Sequence, residues 1–243
     1  VSLSYQTEVL NDSPVLYLRC NETSGATVAN TGSLGGNATA TGSFTRNTTA
    51  GGTGLGVAVS FPGTTGTYIE YADNASLDIT GDVTYEMWVQ CDDFSGLHYL
   101  MSKGKEDPSN AGYSWYIFTD RTIQVWHSAI AVLFSSGSNL YPNDTSWHHI
   151  AFTRSSNTYV IYLDGSALAT SGTVSTAIQA TSQPFDVGRE LSGGTPNGSH
   201  KGDVDEIAVY STALSSTRIA AHYAARNTSV DSSSYVPGVI LIS

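Results

Sequence analysis

The chain has 243 residues, 40% of them hydrophobic but only 13% charged, with 24 Gly, 14 Tyr and abundant Ser and Thr where Lys and Glu usually stand; this excludes a helical bundle and suits one large all-β unit. A net charge of −11, with 10 Lys plus Arg and no basic cluster, excludes nucleic acid and anionic membrane as partners. No segment approaches the roughly 18 apolar residues needed to cross a bilayer, which predicts a soluble chain with no membrane span.

Residues 1–10 carry neither a basic region nor the apolar core of a signal peptide. Either a leader has already been cleaved, or Val1 follows an excised initiator Met and an extracellular-type chain is made without an export signal, as in a virion protein released by lysis. Period-2 alternation then predicts antiparallel strands at 15–20, 57–61, 68–71, 83–91, 113–119, 122–127, 147–154 and 159–163. Residues 22–56 are rich in Gly, Thr and Ala with few large side chains, and read as a wandering loop with short strands. Asp164-Gly165 predicts a tight hairpin turn.

One helix is predicted over about 216–225. Ser215 caps it, Leu214 and Ile219 form a hydrophobic staple, and Tyr223 continues the stripe. A Ser-rich linker follows, and then an apolar run in which Tyr235, Val236, Val239, Ile240, Leu241 and Ile242 supply a β-prone end able to pair with a partner's sheet or to pack on its own domain. The organisation expected is a domain over 1–226 and a linker with apolar strand over 227–243. Cys20 and Cys91, too few for a disulfide framework, are expected to be buried free thiols. Asn-x-Ser/Thr sequons begin at Asn11, Asn21, Asn37, Asn47, Asn74, Asn143, Asn197 and Asn227; they are glycan acceptors only if the chain is a secreted eukaryotic protein.

Four segments spread over most of the chain carry a family likeness. The first is Ser13-Pro14-Val15-Leu16-Tyr17-Leu18-Arg19 with Glu22 and Ser24-Gly25. The second is Ser60-Phe61-Pro62-Gly63, then Tyr68-Ile69-Glu70 and Ser76-Leu77-Asp78-Ile79. The third runs from Trp147 to Arg154 and resumes at Tyr162-Leu163-Asp164-Gly165, and the fourth is Gly202-Asp203-Val204-Asp205-Glu206-Ile207-Ala208-Val209-Tyr210 with Ala213-Leu214-Ser215. In this order and spacing they resemble the laminin G-like, concanavalin A-like jelly-roll family. The resemblance implies an all-β, antiparallel two-sheet sandwich with one short C-terminal helix, usually non-catalytic, used for glycan or protein binding and often carrying a structural calcium. Residues 5–19 are also similar to modules of bacteriophage surface proteins.

The resemblance suggests that one calcium ion is held by Asp205 and a carbonyl near Gly63. Pro62 stands where many relatives have an acid, which removes one ligand. The alternative is Asp205 bonded to backbone amides. Jelly-roll endoglucanases share the fold, but strict alternation puts Asp203, Asp205, Ile207 and Val209 on one face and Val204, Glu206, Ala208 and Tyr210 on the other, so the acids are not expected to converge on one sugar. His148 and His149, adjacent on a strand, point to opposite faces and cannot share an ion. For a glycan, the aromatic candidates are Tyr99, Tyr113, Trp115 and Trp126, since sugar rings stack on exposed aromatics; each has core packing as its alternative.

The leading expectation is a non-catalytic module on the surface of a virion or outside the cell, assembled on a capsid or tail protein through the 235–242 segment and able to touch host surface glycans. A homo-oligomer stays open. The rivals are a secreted calcium-dependent lectin and a glycoside hydrolase.

Overall fold

Alternating apolar and polar residues dictate the architecture. The computed structural model describes residues 3–104, 112–127, 131–135, 137–173, 178–192 and 195–228. In chain order these form helix α1 (Tyr5–Asn11), strands β1 (Leu16–Leu18), β2 (Thr27–Ala29), β3 (Asn37–Thr41), β4 (Thr45–Thr49), β5 (Val57–Pro62), β6 (Tyr68–Tyr71), β7 (Val83–Cys91), β8 (His98–Lys103), β9 (Tyr113–Ile117), β10 (Ile123–His127), β11 (Ala131–Ser135), β12 (His148–Ser155), β13 (Thr158–Leu163), β14 (Ser166–Thr173), β15 (Phe185–Val187), β16 (Glu190–Ser192), β17 (Thr195–Asn197) and β18 (Lys201–Tyr210), and helix α2 (Ser216–Ala225).

One sheet has the order β14-β13-β12-β7-β18-β5-β4, with β1 added against β18; the second has the order β11-β10-β9-β8-β15-β6-β3-β2, and β16 and β17 form a separate hairpin. Their inward faces make one core, in which Leu16, Phe61, Ile69, Tyr85, Met87, Trp115, Phe152, Phe185 and Ile207 are almost wholly excluded from solvent. The expected two-sheet antiparallel sandwich is therefore the fold. Asp164 and Gly165, at φ 49° and 76°, connect β13 to β14 as the sequence predicts, because both central positions of such a turn need positive φ.

The first sheet is also covered on its outer side. A second apolar layer, with Tyr5, Val9, Tyr17, Trp88, Ala208, Tyr210, Leu214 and Ile219, lies beneath α1 and α2. In α2 the Ser215 side chain accepts from Arg218 N at 3.3 Å, and Leu214 and Ile219 are both buried, as the cap and staple require. Helix α1 was not expected. Seven residues give no visible 3.6-residue stripe; the Ser4 cap and the buried Tyr5 and Val9 hold it by packing instead. Arg218 ties the helices together, Nε donating to Asp12 Oδ2 at 2.8 Å and Nη2 to Glu8 Oε2 at 2.7 Å.

Strand β18 departs from alternation. Its first half pairs with β5, from Lys201 opposite Pro62 to Val204 opposite Val59, and its second half with β1, from Ile207 opposite Leu18 to Val209 opposite Leu16. Between the two partners the register against β7 slips, and Glu206 takes φ 50°. The extra residue of this bulge resets the faces: Val204 joins Ile207 and Val209 in the inner core, while Ala208 and Tyr210 face the helices. The even separation of Asp203, Asp205, Ile207 and Val209 from Val204 and Glu206 is thus corrected.

Residues 22–56 do hold only short strands, β2 to β4. Cys20 and Cys91 are buried and free. The apolar segment with Tyr235, Val236, Val239, Ile240, Leu241 and Ile242 lies outside the described residues.

Candidate functional site

Three surfaces of the sandwich carry polar chemistry. The first, the outer face of the β7–β18 sheet, holds the acids that the sequence singles out. Glu206 accepts hydrogen bonds from Tyr17 Oη and from Arg19 Nε and Nη2 at 3.2 and 3.1 Å, and Asp205 Oδ1 accepts from Glu206 N at 2.9 Å. Both residues are wholly excluded from solvent. Burial pushes the two carboxyls up; their mutual repulsion adds to this at Asp205, while Arg19 and Tyr17 oppose it at Glu206. Glu86, on β7, is equally buried and meets His222 Nδ1 at 3.0 Å, His149 Nε2 at 3.3 Å and the Tyr210 hydroxyl. The face is sealed, and its acids are held by partners already in the fold.

The proposed calcium pair is not brought together. Gly63 lies one step beyond Pro62, which is opposite Lys201, so Asp205 stands five steps away along β18, roughly 16 Å at 3.3 Å per residue. Asp205 therefore needs another explanation: one oxygen caps the bulge amide and Oδ2 has no hydrogen-bond partner. His148 and His149 do face opposite ways, the first bonding Asp164 Oδ2 at 2.8 Å, the second packing on Trp88 with ring centroids 5.3 Å apart.

The second surface is the outer face of the other sheet. Register aligns Trp126, Ser114, Ser102, Asp186 and Glu70 across five strands. Arg189 crosses this row, Nε donating to Asp186 Oδ1 at 3.0 Å and its guanidinium resting 3.2 Å above the Tyr68 ring centre. Of the four candidate aromatics, Tyr113 and Trp115 take the core-packing alternative and lie in the inner core, Tyr113 stacking on Tyr85 at 4.6 Å. Tyr99 and Trp126 reach the outer face half-buried; Gly198, at φ 77°, lays its backbone directly on the Tyr99 ring, and Trp126 Nε1 donates to Gln124. The four do not form one platform, because strand alternation sends neighbouring aromatics to opposite faces.

The third surface is the loop end of the sandwich. Gly63, Asp93, Ser95, Gly96, Leu97, His98, Ser199 and Lys201 line a cavity of about 110 Å³. A wider hollow of about 220 Å³, lined by Asp92, Asp93, Phe94, Asn143, Asp144 and Thr145, shares Asp93 with it. Asp93 accepts from Lys201 Nζ at 2.5 Å and from Ser95 N and Oγ at 2.9 and 2.6 Å, and these bonds, Lys201's foremost, hold its carboxyl well below the usual range. Asp144 is likewise lowered, first by the Ser146 amide and then by His148. Phe94 packs its ring edge-on to His98 and Tyr141, each at 5.7 Å, leaving it half-buried beside the carboxylates. Fixed carboxylates, an amide, hydroxyls and one aromatic around a shallow hollow suit a polyhydroxylated ligand, since each hydroxyl can both give and accept a hydrogen bond. Three aspartates against one lysine disfavour an anionic one.

The laminin G model described as the concanavalin A-like lectin/glucanases superfamily matches residues 62–220. The chain belongs to that superfamily. No curated protein matches it by sequence. Among solved structures, this superfamily member is similar to domain 4 of AbnA, a GH43 extracellular arabinanase from Geobacillus stearothermophilus, in complex with arabinotriose: 18% identity, TM-score 0.65, covering 87% of this chain and 98% of that one. It is similar also to Trypanosoma rangeli sialidase in complex with sialic acid (19%, TM-score 0.60, 87% of this chain and 32% of that one), and to the binding domain of botulinum neurotoxin DC in complex with rat synaptotagmin II (12%, TM-score 0.65, 90% and 52%). The chain spans about a third of the length of the trypanosomal sialidases it matches. These likenesses show the fold.

Of the loop-end residues, Gly63 alone was a candidate from the sequence, and for calcium. Most of the others come from Asp92-Asp93-Phe94-Ser95-Gly96 and Asn143-Asp144-Thr145, which carry turn chemistry and no strand period, so only their flanking of two long strands hints that they meet.

Proposed function

We propose that this superfamily member is a non-catalytic carbohydrate-binding module that takes a neutral, polyhydroxylated ligand at its loop end. The observation that carries this reading is the contrast between the two acidic regions: Asp205, Glu206 and Glu86 are sealed beneath α1 and α2, whereas the hollow around Asp93, Phe94, Asn143 and Asp144 is open. A binding site needs access and hydroxyl-matched groups, whereas a glycosidase also needs a carboxyl that keeps its proton to act as the acid, and the hydrogen bonds at Asp93 and Asp144 lower both. The arabinanase domain supports the reading, because almost its whole length matches this chain and it is in complex with arabinotriose, an uncharged oligosaccharide.

Wild-type chain screened against neutral and anionic glycans should bind members of the neutral group, and Phe94→Ala should weaken that binding by roughly 10-fold or more with the melting transition retained, as expected for loss of a centrally placed aromatic contact. Binding that survives Phe94→Ala and Asn143→Ala together, or that prefers sialylated glycans, removes the loop end from the reading.

The setting that suits such a module is the surface of a virion or the extracellular space, where it decorates or adheres while assembled on a capsid or tail protein. The Ser- and Thr-rich, sparsely charged composition and the likeness of residues 5–19 to phage surface modules support it. Deleting 235–243 should abolish assembly on such a partner and leave the melting temperature of the sandwich unchanged; native mass and a thermal melt read the two outcomes.

A further inference from the structure

Directly beneath the loop-end cavity lies a cluster that the carbohydrate reading does not use. Cys91 closes β7, His98 opens β8 and His200 immediately precedes β18. The backbone locks them together: Cys91 pairs with Gly202, Asp92 N donates to Lys201 O at 3.1 Å, and Tyr99 N donates to Ser199 O at 3.2 Å. One ligand atom from each of the three side chains falls within 4.8 Å of the others, and all three residues are buried. His98 Nδ1 is 3.2 Å from His200 Nδ1. Two imidazole nitrogens on one tetrahedral zinc, each about 2.05 Å from the metal, stand about 3.3 Å apart.

The hydrogen-bond partners favour the same arrangement. His98 Nε2 lies 2.6 Å from the carbonyl oxygen of Asp93. A carbonyl only accepts, so Nε2 carries the hydrogen and the lone pair of Nδ1 points at His200; metal-ligating histidines are oriented by this kind of outer contact. Without an ion, the two facing Nδ1 atoms share a single hydrogen, so one ring donates and the other accepts.

We propose that Cys91, His98 and His200 form a zinc-type metal site at the loop end of the sandwich. Thiolate and imidazole select a borderline-soft divalent ion, whereas calcium takes six to eight oxygens, and none of these three ligands offers one. The thiol proton leaves to solvent as the Cys91 sulfur bonds the metal, so uptake releases one proton and weakens as pH falls. His98 also lines the cavity, which gives the fourth coordination position a route to water or an incoming oxygen.

The test is a cobalt(II) titration of the metal-stripped full chain, followed by zinc displacement. One equivalent should produce the thiolate-to-cobalt charge-transfer absorption with the visible bands of a tetrahedral ion, and zinc should erase both and raise the melting temperature. Cys91→Ser should abolish the charge-transfer band and Cys20→Ser should keep it. Should Cys91→Ser not fold, His98→Gln reads the same site through an affinity at least ~10-fold weaker. A folded wild-type chain that develops no charge-transfer band at saturating cobalt, or a band undiminished in Cys91→Ser, overturns the proposal. Glycan binding takes no part in the readout, so the two proposals stand or fall separately.

Discussion

Glu86→Ala should destabilise the sandwich by about 3–5 kcal/mol, the usual result of removing one partner from a buried, hydrogen-bonded ion pair. Glu86 is wholly buried between β7 and α2 and serves His222, His149 and Tyr210 at once. Burial alone would raise its pKa, but the attraction of His222 and the hydrogen bonds of both histidines outweigh that and hold it well below the usual carboxylate range. His222 is raised in turn: burial opposes its charge, and Glu86 and Asp12 prevail. Alanine removes the largest of the attractions that raise His222 and leaves the buried ring with Asp12, at 2.9 Å, as its remaining acid. The sign of the pH dependence follows. Stability drawn from lowered Glu86 is present above the unfolded pKa of about 4.3 and is lost on acidification; that from raised His222 is full below about 6.5 and is lost as pH rises through its folded value. The gap between wild type and Glu86→Ala should therefore be widest between about pH 4.3 and 6.5, measured by urea denaturation across that range. An equal gap at pH 6 and pH 9 would show that the ion pair contributes little.

His127→Phe should have the opposite effect. His127 sits in an aromatic cage, 5.6 Å from both Phe152 and Tyr159, and neither ring nitrogen has a hydrogen-bond partner. Burial, reinforced by Arg154, lowers its pKa to about 3. Below about pH 6.5 the unfolded chain takes up a proton that the folded one refuses, so stability falls with acid until the folded value is reached. At pH 5 this amounts to about 2 kcal/mol relative to pH 7.5, and phenylalanine, of similar shape, should remove it. Denaturation midpoints of the two proteins at both pH values measure the difference. A gain no larger at pH 5 than at pH 7.5 would mean that the buried ring is already charged.

What the sequence made legible was whatever repeats with a period. Strand β7 matches its expected span of 83–91, β13 and β12 lie within one residue of theirs, and α2 follows from its cap and staple. Helix α1 escaped notice because its two buried residues, Tyr5 and Val9, make a single i, i+4 pair. The β18 bulge escaped because its cause lies outside the strand: β5 hands over to β1 at Asp205 and Glu206, and nothing local announces the change of neighbour. The candidate site was the least legible part. Rich aromatic composition drew attention to Trp115 and Tyr113, which the core consumes, while the loop-end groups meet only after four separate connections converge. Cys91, His98 and His200 span more than a hundred residues, with none of the short spacings by which metal sites are recognised in a sequence.

The clasp of α1 on α2 also decides how this module bears mechanical load. The described chain comes in through α1 and goes out through α2, both lying over the same sheet face, so tension between its two ends pulls the helices apart before it reaches the β ladders. The Arg218 bonds to Glu8 and Asp12 and the Asp12–His222 pair must open one after another. Pulled from its two ends, a chain of this build would load the helix clasp first and the strand ladders only afterwards.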